Sequence, residues 1–335
     1  MADRRILTQI SPTAWEHPAD RAALQTLRAI PGFDEVLRKI MSFFGERGIR
    51  HLFTGNAVRV GPRQRPKLHA VYGEVLETLD WQGDNELFVS QTPSVNAMAV
   101  GFDRPFIVIN SGLLGLLDRE EQRTILGHEL GHIMSGHTTY TTMALILLTI
   151  GLRNLPFLAG MALLPIELAL FEWYRKSELS CDRAGLLAGQ EPNAAMMAEL
   201  KMAGGRPRAP GAEGTNLDDD EINLDEFLVQ AEEYEMGGTA VDSVFKFLNI
   251  AFQTHPFHTV RAAELHRWVR SGAYHRILDG DYPRRGSEPQ RPLRDDYAEA
   301  GSYYEQQAKQ AMDQVGDVFN RAKEAFTQAV RGRPK

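Results

Sequence analysis

Eleven residues, GHELGHIMSGH from Gly127 to His137, hold three of the ten histidines in this 335-residue chain, and they limit what it can fold into more than any other stretch. On an α-helix, residues four apart are turned by about 40° and displaced by about 6 Å, so His128 and His132 project from one face and can reach one metal ion. Glu129 sits one step away, on the adjacent edge. That position suits a base that takes a proton from a metal-activated water, without itself being a ligand. Gly131 leaves little bulk on the inner face. Catalytic zinc sites need a third protein ligand. A segment from elsewhere in the chain must therefore be brought against this helix.

The metzincin pattern would supply that ligand from the same segment, with Gly three and His six residues after the second histidine. Here those positions hold Ser135 and Thr138. His137 falls about 140° around from His132 and reads as a polar residue at the end of the helix. The alternative is a glutamate from a second helix, and Glu167, Glu172 and Glu178 all qualify by position. Only Glu178 is followed four residues later by another carboxylate, in SELSCDRAG, so Glu178 and Asp182 share a helix face. Asp182 could then accept the spare N–H of a ligating histidine. Cys181, beside it, reads as a small buried residue.

Hydrophobic residues at 43% and charged residues at 24% are ordinary globular usage. A formal charge of -7 argues against a general nucleic-acid binder. The single cysteine excludes an intrachain disulfide and a Cys-rich zinc ribbon, and suits a reducing compartment. The start carries two arginines with no apolar run behind them, which does not read as a secretory signal, so a cytoplasmic location is expected.

Residues 19–30 and 33–48 read as two helices split by Pro31-Gly32, and residues 67–80 keep a helical apolar period. ELFVSQ (86–91), NAMAV (96–100) and PFIVIN (105–110) are short β-prone runs that imply a small sheet. Asp118 followed by Glu121 resembles the N-cap pair of the helix that carries the histidines. The most apolar stretch, 143–174, is broken by Arg153-Asn154, and neither half reaches the roughly 20 residues of a spanning helix. It reads as a buried or membrane-touching helical hairpin with its turn near Asn154 and Pro156. Residues 204–221 read as a mobile loop. Apolar residues from Ala308 to Val330 recur at helical steps in an amphipathic tail.

Four segments together resemble the HtpX-like and CAAX prenyl protease family of gluzincin zinc metallopeptidases: NAMAVG (96–101), the stretch 110–137, SELSCDRAG (177–185) and HPFHTVRAAEL (255–265). The resemblance covers roughly residues 67–270. It implies one zinc ion held by His128, His132 and Glu178, with Glu129 as general base and Asp182 supporting the ligands. It implies that Asn96, Ala97, Met98 and Ala99 lie on an edge strand that takes a substrate peptide antiparallel, and that His255 faces the scissile carbonyl with Arg261 nearby. His258 has no matching role and is expected at the surface. Integral-membrane relatives carry long spanning helices before the motif and between the ligand segments, and this chain has no such helices, so it more closely resembles soluble members.

The expected fold is α+β and mostly helical, a zincin-type metallopeptidase whose small sheet packs on the histidine-bearing helix beside a second, ligand-bearing helix. Its parts are an N-terminal helical segment (1–66), a peptidase core (67–275) containing the hairpin and the mobile loop, a linker (276–298) and the C-terminal amphipathic helix (299–335). The expected function is zinc-dependent endopeptidase action on extended or unfolded protein segments, with a protein or peptide substrate and no nucleic acid. Two alternatives stand beside it. One is a metal-binding interaction module with a structural site and self-association through the C-terminal helix. The other is a peripheral membrane-associated protease that touches the membrane surface through 143–174.

Overall fold

A computed structural model describes residues 4–150, 157–204, 222–236 and 257–288, together with Ala298 and Gly301. Its helices are α1 (Pro18–Arg28), α2 (Phe33–Thr54), α3 (Pro66–Thr78), α4 (Ser111–Leu116), α5 (Arg119–Met134), α6 (Thr138–Ile150), α7 (Phe157–Gly189), α8 (Pro192–Met202), α9 (Leu224–Met236), α10 (His258–Arg270) and α11 (Ala273–Leu278). A four-stranded sheet comprises β1 (Ala57–Arg59), β2 (Leu87–Ser90), β3 (Ala97–Val100) and β4 (Phe106–Asn110). The fold is the α+β, mostly helical arrangement expected from the sequence. Strand β1 was not legible, because AVR is too short to show an alternation.

The sheet order is β1-β2-β4-β3, with β2 and β4 parallel and both outer pairings antiparallel, so β3 is an edge. Asn110 N–H donates to the Asn96 carbonyl at 3.0 Å, and antiparallel pairs alternate between bonded and non-bonded. Met98 and Val100 therefore bond inward to β4, while the backbone groups of Ala97 and Ala99 point to the free edge. At Ala99 the carbonyl is approached by the Thr141 hydroxyl of α6 at 3.4 Å, which leaves Ala97 as the more open position. One face of the sheet buries Leu87, Val89, Ile107 and Ile109 in a core with Val71 and Val75 of α3 and Leu126 and Leu130 of α5.

Helix α5 starts at a complete capping box. Asp118 accepts from the Glu120 and Glu121 amides, and the Glu121 carboxylate takes the Asp118 amide at 2.8 Å. Nearly all of α5 is buried, Arg123 through Met134 without a break, which is why it shows no apolar stripe. Its closest neighbour is α7, and the approach depends on missing side chains. A Cβ on Gly127 would lie 2.3 Å from the Ala188 Cβ, and one on Gly131 would lie 2.6 Å from the Ala184 Cβ. Only glycine lets the two backbones come this near.

The arms of the apolar stretch are α6 and the first half of α7, which pack on each other. The end nearest the histidines is core: Met143, Ala144, Ile166, Leu170, Phe171 and Trp173 cluster with Leu27 of α1 and Phe33 of α2. Among the described residues no helix is long and apolar enough to cross a membrane. The expected turn near Asn154 and Pro156, most of the loop 204–221, and the tail apart from Gly301 lie outside the described residues. The first part of the stretch read as a linker is held: it contains the second half of α11, Arg284 bridges Ile10, and Arg285 N–H donates to the Gln9 carbonyl at 2.7 Å.

Candidate metal centre and groove

Where α5 and α7 press together, three side chains converge. His128 Nε2 lies 3.2 Å from His132 Nε2 and 3.5 Å from Glu178 Oε2, and His132 Nε2 lies 3.2 Å from Glu178 Oε1. Two ligands held about 2.0–2.1 Å from one tetrahedral ion stand roughly 3.3 Å apart, so this spacing and this N, N, O donor set fit a zinc-class cation. All three residues are buried. Burial disfavours charge on either ring, but the Asp182 and Glu178 carboxylates outweigh it at His128 and push its pKa up to about 10. At His132 burial wins over Glu178, with the neighbouring His128 adding to it, and the value falls to about 4. A cation bound by both rings must displace the His128 proton.

Behind the ligands runs a chain of charged contacts. His128 Nδ1–H donates to Asp182 Oδ1 at 2.9 Å, fixing the tautomer that turns Nε2 toward the other ligands. Arg261 of α10 donates from Nε to Asp182 Oδ2 at 2.9 Å and from Nη2 to the other carboxylate oxygen. Burial alone would raise the Asp182 pKa, but Arg261 and His128 hold it below the usual carboxylate range. Arg261 Nη2 also reaches Glu199 Oε1 of α8 at 3.2 Å, and Glu199 Oε2 meets His258 Nδ1 at 2.8 Å.

A groove passes in front of the ligands. It is lined by Asn96, Ala97, Met98 and Ala99 of the β3 segment, by Glu129 beside the histidines, by Tyr174, and by His258 and Arg261. The residues picked from sequence thus meet in one place, apart from His255, which lies outside the described residues. Arg261 touches the groove with its guanidinium committed to Asp182 and Glu199, so its charge is directed behind the ligands rather than into open space.

His258 and His137 go beyond the sequence reading, and Tyr174 is a groove residue it missed. His258 is not a surface residue; its side chain is 31% exposed and faces the groove. It stands three residues before Arg261, one turn away on the same helix side, a spacing that could have singled it out. Tyr174 lies four residues before Glu178 and extends the Glu178–Asp182 stripe by one step into the groove. His137, read as a polar residue at the end of the helix, is fully enclosed: Nε2 is 3.3 Å from Asp20 of α1, and Nδ1 is 3.6 Å from Cys181 Sγ. Gly136, with φ at +68°, ends α5 and turns the chain so that His137 points inward. Burial pushes the Cys181 thiol well up, as fits an inert buried sulfur, and His132, His137 and Cys181 form a second compact donor group beneath the first.

This helix pair, edge strand and donor set define a metallopeptidase architecture, and comparison with known proteins gives the lineage. Residues 62–269 match Peptidase family M48, and the chain belongs to that family. It is 33% identical over 267 residues to the plastoglobule-localized metallopeptidase 48, chloroplastic, of Arabidopsis thaliana, covering 79% of this chain and 74% of that one. It is 30% identical over 140 residues to Protease HtpX of Xanthomonas axonopodis pv. citri, covering 39% of this chain and 44% of that one. A protease HtpX homolog of Moorella thermoacetica is 29% identical over 114 residues, covering 33% of this chain and 37% of that one. No solved structure matches.

Proposed function

We propose that the chain is a zinc-dependent endopeptidase that cleaves extended or unfolded protein segments, with His128, His132 and Glu178 as ligands and Glu129 as general base. The observation that carries this reading is the meeting of the three donor atoms at 3.2–3.5 Å at the floor of a groove whose wall is a sheet edge. When bound, zinc would polarise a carbonyl and bring the pKa of water down toward about 7. Glu129 takes the proton from the attacking water and passes it to the departing amine. The free N–H and C=O of Ala97 pair with the substrate backbone, which grips a peptide whatever its side chains and favours chains already extended. Asp182, braced by Arg261, keeps His128 in its ligating tautomer. A structural metal site would be closed by protein ligands. The groove instead opens directly onto the donors, which favours catalysis over the interaction-module alternative.

Glu129→Gln tests the assignment. The variant should keep its zinc while cleavage of denatured casein falls at least about 10³-fold, the scale expected when the base of a metal-assisted hydrolysis is lost. Full cleavage by a zinc-loaded Glu129→Gln would contradict it.

A further inference from the structure

We infer that the protein reads its substrate on both faces of the edge strand, and that a hollow walled by the end of α2 is a second specificity subsite, one that takes a large uncharged side chain; this rests on the peptidase reading above. Along β3 successive side chains alternate between the two faces of the sheet. Ala97 packs against the core that the sheet shares with α5, on the side of the metal ligands. Met98 turns the other way and packs with Phe88, Val100, Phe106 and Val108. A chain paired along the free edge follows the same alternation, because residues directly opposite each other in a ladder share a face. The substrate residue opposite Ala97 therefore points to the metal side. The residue opposite Met98 points away from it.

On that second face lies a hollow of about 500 Å³. Leu52 and Phe53, from the last turn of α2, form one wall; Met98 and Val108 line it from the sheet, and Ser90 and Asn110 bring polar groups to it. Met98 also lines the groove in front of the ligands, so the two spaces adjoin across the edge strand. Leu52 is 63% exposed. Apolar surface left open beside a binding groove is surface for a ligand to cover. No charged side chain lines the hollow among the described residues, so a carboxylate or ammonium placed there would shed water without gaining a partner. A leucine, methionine or phenylalanine would instead gain by covering Leu52, Phe53 and Met98. Leu52 and Phe53 precede the residues 62–269 that match Peptidase family M48, so this wall comes from the chain's N-terminal segment and not from the family likeness. Neither residue touches the reacting bond; they select the substrate.

The test uses internally quenched peptides varied one position at a time around the cleaved bond, with kcat/KM measured for the full chain and for Leu52→Glu and Leu52→Lys. The wild type should favour leucine, methionine or phenylalanine over aspartate and lysine by about tenfold at the position that faces the hollow. Leu52→Glu should turn that preference toward lysine and Leu52→Lys should turn it toward aspartate, while the positions immediately on either side, which face the metal side, keep their wild-type order. Opposite swings from opposite charges are not produced by loss of folding. The same order should appear in the affinity of the peptides for zinc-loaded Glu129→Gln, read by fluorescence anisotropy without turnover. Unaltered preferences in both variants would overturn the proposal. So would an equal change at every position, which would mean that another part of the chain or another partner covers the hollow. If the wild type itself did not cleave, or cleaved without needing Glu129, the peptidase reading would fall and this proposal with it. Cleavage that needs Glu129 but whose preferences ignore residue 52 would remove this proposal alone.

Discussion

On the proposed ligand set, Asp182 sets how good a ligand His128 can be, because the bond from Nδ1 decides which nitrogen is turned toward His132 and Glu178. Asp182→Asn should weaken zinc binding by about 10- to 100-fold, and Arg261→Ala should do the same to a smaller degree, both measured by competition against a chelator. Unchanged affinity in Asp182→Asn would mean that the hydrogen bond does not tune the site. At this scale the sequence was informative where partners are near in number. The four-residue steps from His128 to His132 and from Glu178 to Asp182 could be read directly. His137 could not be placed, since its carboxylate partner, Asp20, lies far along the chain and carries no local signature.

The cluster of His128, His132 and Glu178 exists because two elements can approach closely, and that approach is the property of Gly127 and Gly131. Gly131→Val should force α5 and α7 apart, with zinc content falling and stability dropping by about 2–3 kcal/mol or more, as for other over-packed cores. A variant that binds zinc normally would show that the helices have slack to give. The edge strand makes a separate prediction. Ala97→Pro removes the outward N–H without disturbing the ladder to β4, so zinc should stay while kcat/KM for a peptide falls about tenfold or more. Equal cleavage would mean that substrate does not pair with β3. The runs 86–91, 96–100 and 105–110 were legible as short β-prone segments separated by Pro and Gly, but sheet order was not. Helix α5 was found by its caps and its motif, since burial on all sides erases amphipathic periodicity.

Across the whole molecule, one buried carboxylate ties the N-terminal helix to the centre. Asp20 accepts from Trp173 Nε1 at 2.9 Å and from Ser180 Oγ at 2.5 Å, and it pairs with His137. Nothing in residues 1–66 announced this, because the partners, His137 just before α6 and Trp173 and Ser180 of α7, are met only in three dimensions. For Asp20, burial raises the pKa, but His137, Ser180 and Trp173 together outweigh it and lower it. For His137, burial lowers the pKa, but Asp20 outweighs it and the net shift is upward. Stability from the depressed Asp20 is present above its unfolded value near 4 and fades as acid protonates it below that. Stability from the raised His137 is present below its unfolded value near 6.5 and fades as pH rises through its folded value. The difference in unfolding free energy between wild type and Asp20→Asn should therefore be largest between about pH 4 and 6.5, on the order of 3 kcal/mol, and shrink on either side. A difference independent of pH would show that the pair is not ionised.

The central claim is that His128, His132 and Glu178 together hold one metal ion, and elemental analysis of the purified chain beside Glu178→Ala tests it most directly. About one zinc per wild-type chain, lost in the variant, is the expected result. No zinc after reconstitution, or equal zinc in both proteins, would contradict the ligand set and the peptidase mechanism built on it.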